Sequence, residues 1–344
     1  MKYASIFLLT LLANIAAAAT PPDQLTLSDL VNHPDRWPAT VTLPSDITFS
    51  NGMVVHQGQQ VGVAAFDGTN CILVAQGNFR FRASAADVGL LDAANQAWAA
   101  LTPAQRAIDP DSLAADMTLW PVQVKTNTTI TCSFGSLPPG TSMSVVTITN
   151  KGTDLAWPNS PNRLNLGFNF TDAIAQARQL ALLDPDKRPS RIAAALQGIM
   201  VDSDGNPYKD DHLQDKKMFA LYFGANWCAP CHSFSPGYVS FMTDALAQHP
   251  ELAAVFMNED PQLDQMLGYM KDEKMPFPGV PQSSWQQNNV VAQYAGKIIP
   301  DLVIIDRFGK ILVSREDPNG QMSGADDALA AFKTFLAAQP ATQQ

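Results

Sequence analysis

The sequence predicts a multidomain chain: two small all-β modules with helical linkers, then an α/β domain with a central mixed sheet and helices on both faces. Three observations carry this. Arg36–Ser50 (RWPATVTLPSDITFS) aligns with Leu119–Ser133 (LWPVQVKTNTTITCS), an internal duplication. Around both segments apolar and polar residues alternate over short runs separated by Gly, Asn and Pro, the pattern of small antiparallel strands. From Gly198 onward the pattern changes to strands alternating with longer helical stretches.

Taken in order, residues 1–19 have the three parts of a secretory signal peptide: Lys2, an apolar core Ile6–Leu12, and the small residues Ala16–Ala19. Cleavage is expected near Ala19/Thr20. The apolar core falls short of the roughly 20 residues a membrane span needs. No cysteine stands at the cleavage site for a lipid anchor, so the expected address is the periplasm or the extracellular space.

Residues 20–110 form the first β module and 111–188 the second. The duplication continues past the aligned segments, with Gly68-Thr69 matching Gly152-Thr153, Phe79 and Phe81 matching Leu164 and Leu166, and Asp87 matching Asp172, each acid before an Ala-rich helix. Thr102-Pro-Ala-Gln105 places a cap, a proline at the first helical position and a glutamine at the third, so a linking helix begins there. A second Ala-rich helix is expected from Thr171 to about Leu183. Asp184-Pro185 and Arg188-Pro189 then break the chain before the last domain, 189–344. In the first module Ile47–Val63 carries Thr-Phe-x-x-Gly and Gly-x-x-Val-x-Val. The pattern resembles bacterial SH3-like barrels, which implies two closed small barrels.

In the last domain the expected elements are a short strand Ile199–Val201, an Asp202-Ser-Asp-Gly turn, the apolar strand Met218–Phe223, and a helix from the cysteine motif to about Ala247. They continue with a strand Ala253–Met257, a helix Pro261–Lys274, the strand Leu302–Ile305, a tight turn Asp306–Gly309, the strand Ile311–Val313, and a terminal helix with Leu329, Phe332 and Leu336 on one face. Met275 to Lys297, rich in proline and holding Trp285, reads either as the rim of a substrate groove or as an irregular surface loop.

The chemistry concentrates in Trp227-Cys228-Ala229-Pro230-Cys231-His232. An apolar strand delivers Cys228 to a helix start, where the positive end of the backbone dipole and unpaired N–H groups favour thiolate over thiol. Cys231, one turn on, is within reach of a reducible disulfide. Tyr222–Pro236 (YFGANWCAPCHSFSP) followed by Ile299–Lys310 (IPDLVIIDRFGK) resembles thioredoxin-like thiol-disulfide oxidoreductases, nearest to the tryparedoxin and nucleoredoxin group and related periplasmic reductases. The likeness covers roughly residues 198–340.

The resemblance implies a role for each of these residues. Cys228 is the nucleophile and Cys231 the resolving thiol. Trp227 is the aromatic beside the pair, and Pro230 shapes the first helical turn while withholding an N–H. Pro300 is the cis-proline facing the cysteines, and Ile299 offers backbone groups to an extended substrate. Where thioredoxin has a buried acid this chain has Tyr222, as tryparedoxin-like proteins have an aromatic, so the base serving Cys231 is unassigned. His232, when protonated, would add positive charge near Cys228 and lower its pKa; the alternative is a solvated residue on the first helical turn.

Cys228-Ala-Pro-Cys231-His232 also fits a c-type haem attachment site with His232 as axial ligand, but the preceding buried strand, Trp227, Pro230 and the later Ile-Pro strand belong to the thiol fold. A purified protein without Soret absorption would end that alternative. Asn226-Trp227 ahead of the cysteine departs from the peroxiredoxin pattern. Cys71 and Cys132 either join as a structural disulfide or stay two buried thiols, and share no metal spacing with the active pair. The remaining histidines, His33, His56, His212 and His249, are scattered. The expected cofactor set is empty apart from the Cys228–Cys231 disulfide. Formal net charge is −10 with 22 basic against 32 acidic residues, which disfavours nucleic acid and anionic membrane surfaces. The expected partners are disulfide-containing proteins and a thiol electron donor or acceptor. The rival reading is an envelope binding protein in which the β modules carry function and the cysteine pair is only a bridge.

Overall fold

The computed structural model describes residues 22–75, 79–315 and 324–339, so the expected signal peptide lies outside the described residues. The chain enters through α1 (Leu27–Asn32), whose start is fixed by a reciprocal cap: Thr26 Oγ1 accepts from the Asp29 N–H, and the Asp29 carboxylate accepts from the Thr26 N–H. The strands β1 (Thr40–Thr42), β2 (Ile47–Thr48), β3 (Val54–Val55), β4 (Gln60–Phe66), β5 (Asn70–Val74) and β6 (Arg80–Ser84) follow, then α2 (Leu90–Ala99). The linker holds α3 (Pro103–Arg106), begun as its sequence foretells by a Thr102–Gln105 capping box, and α4 (Pro110–Ala115). The second module contains β7 (Gln123–Lys125), β8 (Ile130–Cys132), β9 (Gly135–Leu137), β10 (Ser142–Thr149), β11 (Gly152–Ala156), β12 (Arg163–Leu166) and α5 (Ala173–Leu180).

The two modules share one strand plan. The sheets run β1-β4-β5-β6 and β7-β10-β11-β12, all antiparallel, and each has a separate hairpin, β2–β3 or β8–β9. One tryptophan contact occurs in both: Trp37 Nε1 donates to the Leu30 carbonyl at 2.6 Å, and Trp120 Nε1 to the Leu113 carbonyl at 2.7 Å, each seven residues back. The expected barrel closure is corrected, however. The hairpin strands are only two or three residues long and pair with each other alone, so among the described residues each module is an open four-stranded sheet. In the first module Leu90, Ala94 and Trp98 of α2 cover the apolar face; in the second, Ala173, Ile174 and Ala177 of α5 do so.

The possible Cys71–Cys132 bridge is not formed. Cys71 is sealed in β5 within the first core, and Cys132 ends β8 in the second module's hairpin. Burial, then the Asp67 charge, pushes the Cys71 thiol up to about 11, the condition of an inert core cysteine.

The α/β domain begins with α6 (Arg191–Leu196) and continues through β13 (Met218–Gly224), α7 (Ala229–Gln248), β14 (Leu252–Asn258), α8 (Leu263–Asp272), β15 (Gly279–Val280), α9 (Gln282–Trp285), α10 (Asn289–Ala292), β16 (Asp301–Asp306), β17 (Ile311–Val313) and α11 (Ala325–Ala337). Its sheet order is β15-β14-β13-β16-β17, with β15, β14 and β13 parallel and β16 and β17 antiparallel. This is the mixed sheet expected. β13 and β14 are buried at every residue, which is why each reads as an unbroken apolar run. Met218, Ala220 and Tyr222 face a core shared with α7, α8 and α11, while Phe219, Leu221 and Phe223 face α6, α9 and α10.

Two element expectations are corrected. Ile199–Val201 is no strand; Val201 makes isolated bridges to Pro207 and Gly279. The segment Met275–Lys297 holds β15, α9 and α10 rather than an irregular loop. Trp285 does not rim a groove: it is 4% exposed, packs edge-on against Phe223 and donates Nε1–H to the Asn258 carbonyl at 2.7 Å.

Arg191 joins the second module to this domain. It is 2% exposed, donates to the Phe308, Val145 and Val146 carbonyls at 2.9, 2.7 and 3.0 Å, and lies over the Trp120 ring. Burial pulls its guanidinium down to about 10.

Candidate functional site

The site forms where β13 runs out. After Gly224 the chain turns through Ala225, Asn226 and Trp227 into α7, and this turn is fixed from below by a carboxylate. The Asn226 N–H donates to both oxygens of Asp260 at 3.0 Å, and the Trp227 N–H also supports that carboxylate. Asp260 follows β14, is 1% exposed, and has its own carbonyl held by Asn258 Nδ2 at 2.9 Å. Burial raises its carboxyl above the usual range, and the two N–H groups draw it part of the way back.

Cys228 is the N-cap of α7, a 20-residue helix, and its Sγ accepts the Cys231 N–H at 3.2 Å. Pro230 sits in the first turn without an N–H of its own, so the bond from Cys231 is the one directed at that sulfur. The two cysteines are joined in a disulfide, with Cα atoms 5.2 Å apart. Ile299–Pro300 is a cis peptide, and the Ile299 carbonyl oxygen lies 3.9 Å from Cys228 Sγ. In the disulfide form Cys228 is only 4% exposed, tucked against the Ile299 loop, and Cys231 is wholly buried. Trp227, by contrast, is 66% exposed and Ile298 61%, leaving apolar surface around the covered disulfide.

His232 directs its ring nitrogens at the turn and at the residue that follows α8. Its Nε2 faces the Asn226 carbonyl at 2.6 Å and its Nδ1 faces Glu273 Oε1 at 3.0 Å, while Tyr269 stands edge-on to the ring. The Asn226 carbonyl first, then Glu273, raises its pKa above the ordinary value. Two acceptors on two ring nitrogens suit the imidazolium form.

Below the cysteine helix, three hydroxyls close on one another: Tyr222 to Ser235 at 2.8 Å, Ser235 to Tyr269 at 2.7 Å, and Tyr222 to Tyr269 at 3.1 Å. Burial drives the Tyr222 hydroxyl upward, so it stays protonated and is no base. Sequence reading did not find Asp260, Glu273 or this hydroxyl set. Asp260 had a usable signal, an acid just past the end of a buried strand beside the cysteine strand; Glu273 and Ser235 had none. Among the described residues no group of three or more His, Cys, Asp or Glu is placed to hold a metal ion, and no helix is long and apolar enough to cross a membrane.

Residues 215–311 match a family model described as thioredoxin-like. Over 124 residues the chain is 31% identical to probable nucleoredoxin 1 of Arabidopsis thaliana, covering 36% of this chain and 21% of that protein. Over 112 residues it is 26% identical to the thiol:disulfide interchange protein HelX of Rhodobacter capsulatus, covering 33% and 59% respectively. The chain thus spans less than two thirds of both relatives. Among solved structures, thioredoxin from Wuchereria bancrofti aligns at 25% identity over 41% of this chain and 97% of its own, with a TM-score of 0.33. Tryparedoxin I from Crithidia fasciculata aligns at 24% identity over 43% and 94%, with a TM-score of 0.32.

Proposed function

We propose, taking the thioredoxin-like domain of residues 215–311 as the premise, that the protein is an exported thiol-disulfide oxidoreductase acting on protein disulfides. The observation that carries this reading is the Cys228–Cys231 disulfide at the start of α7, with the Ile299 carbonyl beside the first sulfur. Export rests on the leader residues Lys2 to Ala19 alone.

In the reduced protein the helix dipole and the Cys231 N–H favour the Cys228 thiolate. That thiolate attacks one sulfur of a substrate disulfide; the S–S bond breaks, the other substrate sulfur leaves as thiolate, and a mixed disulfide joins Cys228 to substrate. Cys231, deprotonated, then attacks Cys228 Sγ and displaces the second substrate thiolate. Two electrons pass from the dithiol to the substrate, whose thiolates take up protons, and the Cys228–Cys231 disulfide results. A thiol donor protein resets the pair by the reverse exchange. Trp227, Ile299 and Pro300 serve as the substrate contact, with Ile299 offering main-chain groups to an extended segment. Pro230 and His232 shape the turn that presents Cys228. The β modules, which share one strand plan and which we read as a duplication, position this domain through Arg191 and through Arg163, whose Nε donates to Asn289 Oδ1 at 2.9 Å.

Insulin reduction with dithiothreitol as donor tests the reading. Catalysis is expected from the wild-type protein and is abolished in Cys228→Ser. Equal turbidity curves with and without the wild-type protein would overturn it and favour a binding protein with a structural bridge.

A further inference from the structure

We propose that Arg315 is a positioning residue for substrate: its guanidinium holds the Ile298–Pro300 loop in the extended form that a disulfide-bearing polypeptide strand docks against. The inference rests on the reading above. Ile299 is the residue whose carbonyl stands beside Cys228 Sγ, yet its loop carries no regular structure between the end of α10 and the start of β16. Gly296, Lys297 and Ile298 are exposed. Something other than burial must keep the loop in shape.

Arg315, just beyond β17, reaches back across the sheet edge and donates Nη1 to both the Ile298 and the Pro300 carbonyls at 3.1 Å, so one nitrogen brackets Ile299 on either side. With 13% of its side chain exposed, its hydrogen bonds are partly shielded from water and correspondingly firm. Asp301 completes the arrangement: its Oδ1 lies 3.9 Å from Arg315 Nε, and its carboxylate accepts from the Gly296 N–H. Any side chain at position 296 would collide with that carboxylate, which accounts for a glycine there. The charged pair therefore ties the loop at its start, middle and end. Both Ile298 and Pro300 spend their carbonyls on Arg315, leaving the main chain of Ile299 as the part available to an incoming strand. The two N–H bonds of Nη1 are fixed in the guanidinium plane and meet both carbonyls from one rigid position; an ammonium on a flexible stem holds the same two contacts with less preorganisation.

The prediction separates docking from chemistry. Arg315→Met is expected to raise KM for insulin about tenfold, the cost of ordering a freed loop residue on binding. The rate at which the reduced protein cleaves a small aromatic disulfide, 5,5′-dithiobis(2-nitrobenzoic acid), stays unchanged because that probe needs no strand docking. Arg315→Lys recovers part of the KM. Amide exchange at Ile298 and Ile299 in the oxidised protein quickens in Arg315→Met, a readout that needs no activity and so still reports the loop if the wild-type protein proves unable to reduce insulin. Unchanged KM with unchanged exchange overturns the assignment; a parallel fall of both rates, unrescued by lysine, overturns it in favour of general destabilisation.

Discussion

Cys228 does two things with one sulfur: it caps α7 by accepting the Cys231 N–H, and it lies within 3.9 Å of the Ile299 carbonyl. A cap accepting at a helix start is a stabilised anion site. His232 braces the turn, with one ring nitrogen directed at the Asn226 carbonyl and the other at Glu273. Its folded pKa lies above the unfolded value of about 6.5, so its stabilisation is full below that value and is lost as pH rises through the raised folded pKa. His232→Ala should therefore lower the urea midpoint more at about pH 5.5 than at about pH 8.5. An equal loss at both would contradict the account. The two remaining thiols differ in exposure: Cys71 is sealed in its core and held up to about 11, whereas Cys132 is half-buried. Alkylation of the native oxidised protein should modify Cys132 promptly and Cys71 only on unfolding; equal rates would contradict this.

At the scale of elements, β13 shows how far sequence goes. Its unbroken apolar run announces a buried central strand, and Tyr222 within it announces the missing acid, but the partners of that hydroxyl come from α7 and α8 and lie 13 and 47 residues away. Tyr222→Phe removes two of the three hydroxyl contacts and keeps the Ser235–Tyr269 bond, so a loss of about 1 kcal/mol is expected in urea unfolding; no loss would mean that the set adds nothing. The segment 275–297 was illegible for a related reason. β15, α9 and α10 are two to four residues long, too short to show a period, and they are held by distant contacts such as Trp285 to Asn258 and Asn288 to Ala195. Prolines at 276, 278 and 281 suggested a loop where they punctuate short elements. The hairpins β2–β3 and β8–β9 misled in the opposite way, since alternation marks strands without telling whether a sheet closes.

At the scale of the molecule, the location of the cysteine pair was legible because it is local: a Cys-x-x-Cys motif between an apolar strand and a helix. The seams between modules were not, because they depend on single buried cations meeting carbonyls far away in sequence. Arg191 is the clearest, with three carbonyls from two modules and an aromatic face. Arg191→Met should destabilise the chain by about 3 kcal/mol or more, since it leaves those carbonyls buried and unpaired; a urea midpoint within error of wild type would contradict the seam. The proposed thiol-disulfide exchange depends on the ionisation of one sulfur in the reduced protein. The rate of iodoacetamide alkylation of Cys228 against pH measures it directly: the account predicts a thiol pKa well below the ordinary value of about 8.5, with fast reaction at neutral pH, and a Cys228 that reacts no faster at neutral pH than free cysteine would contradict it.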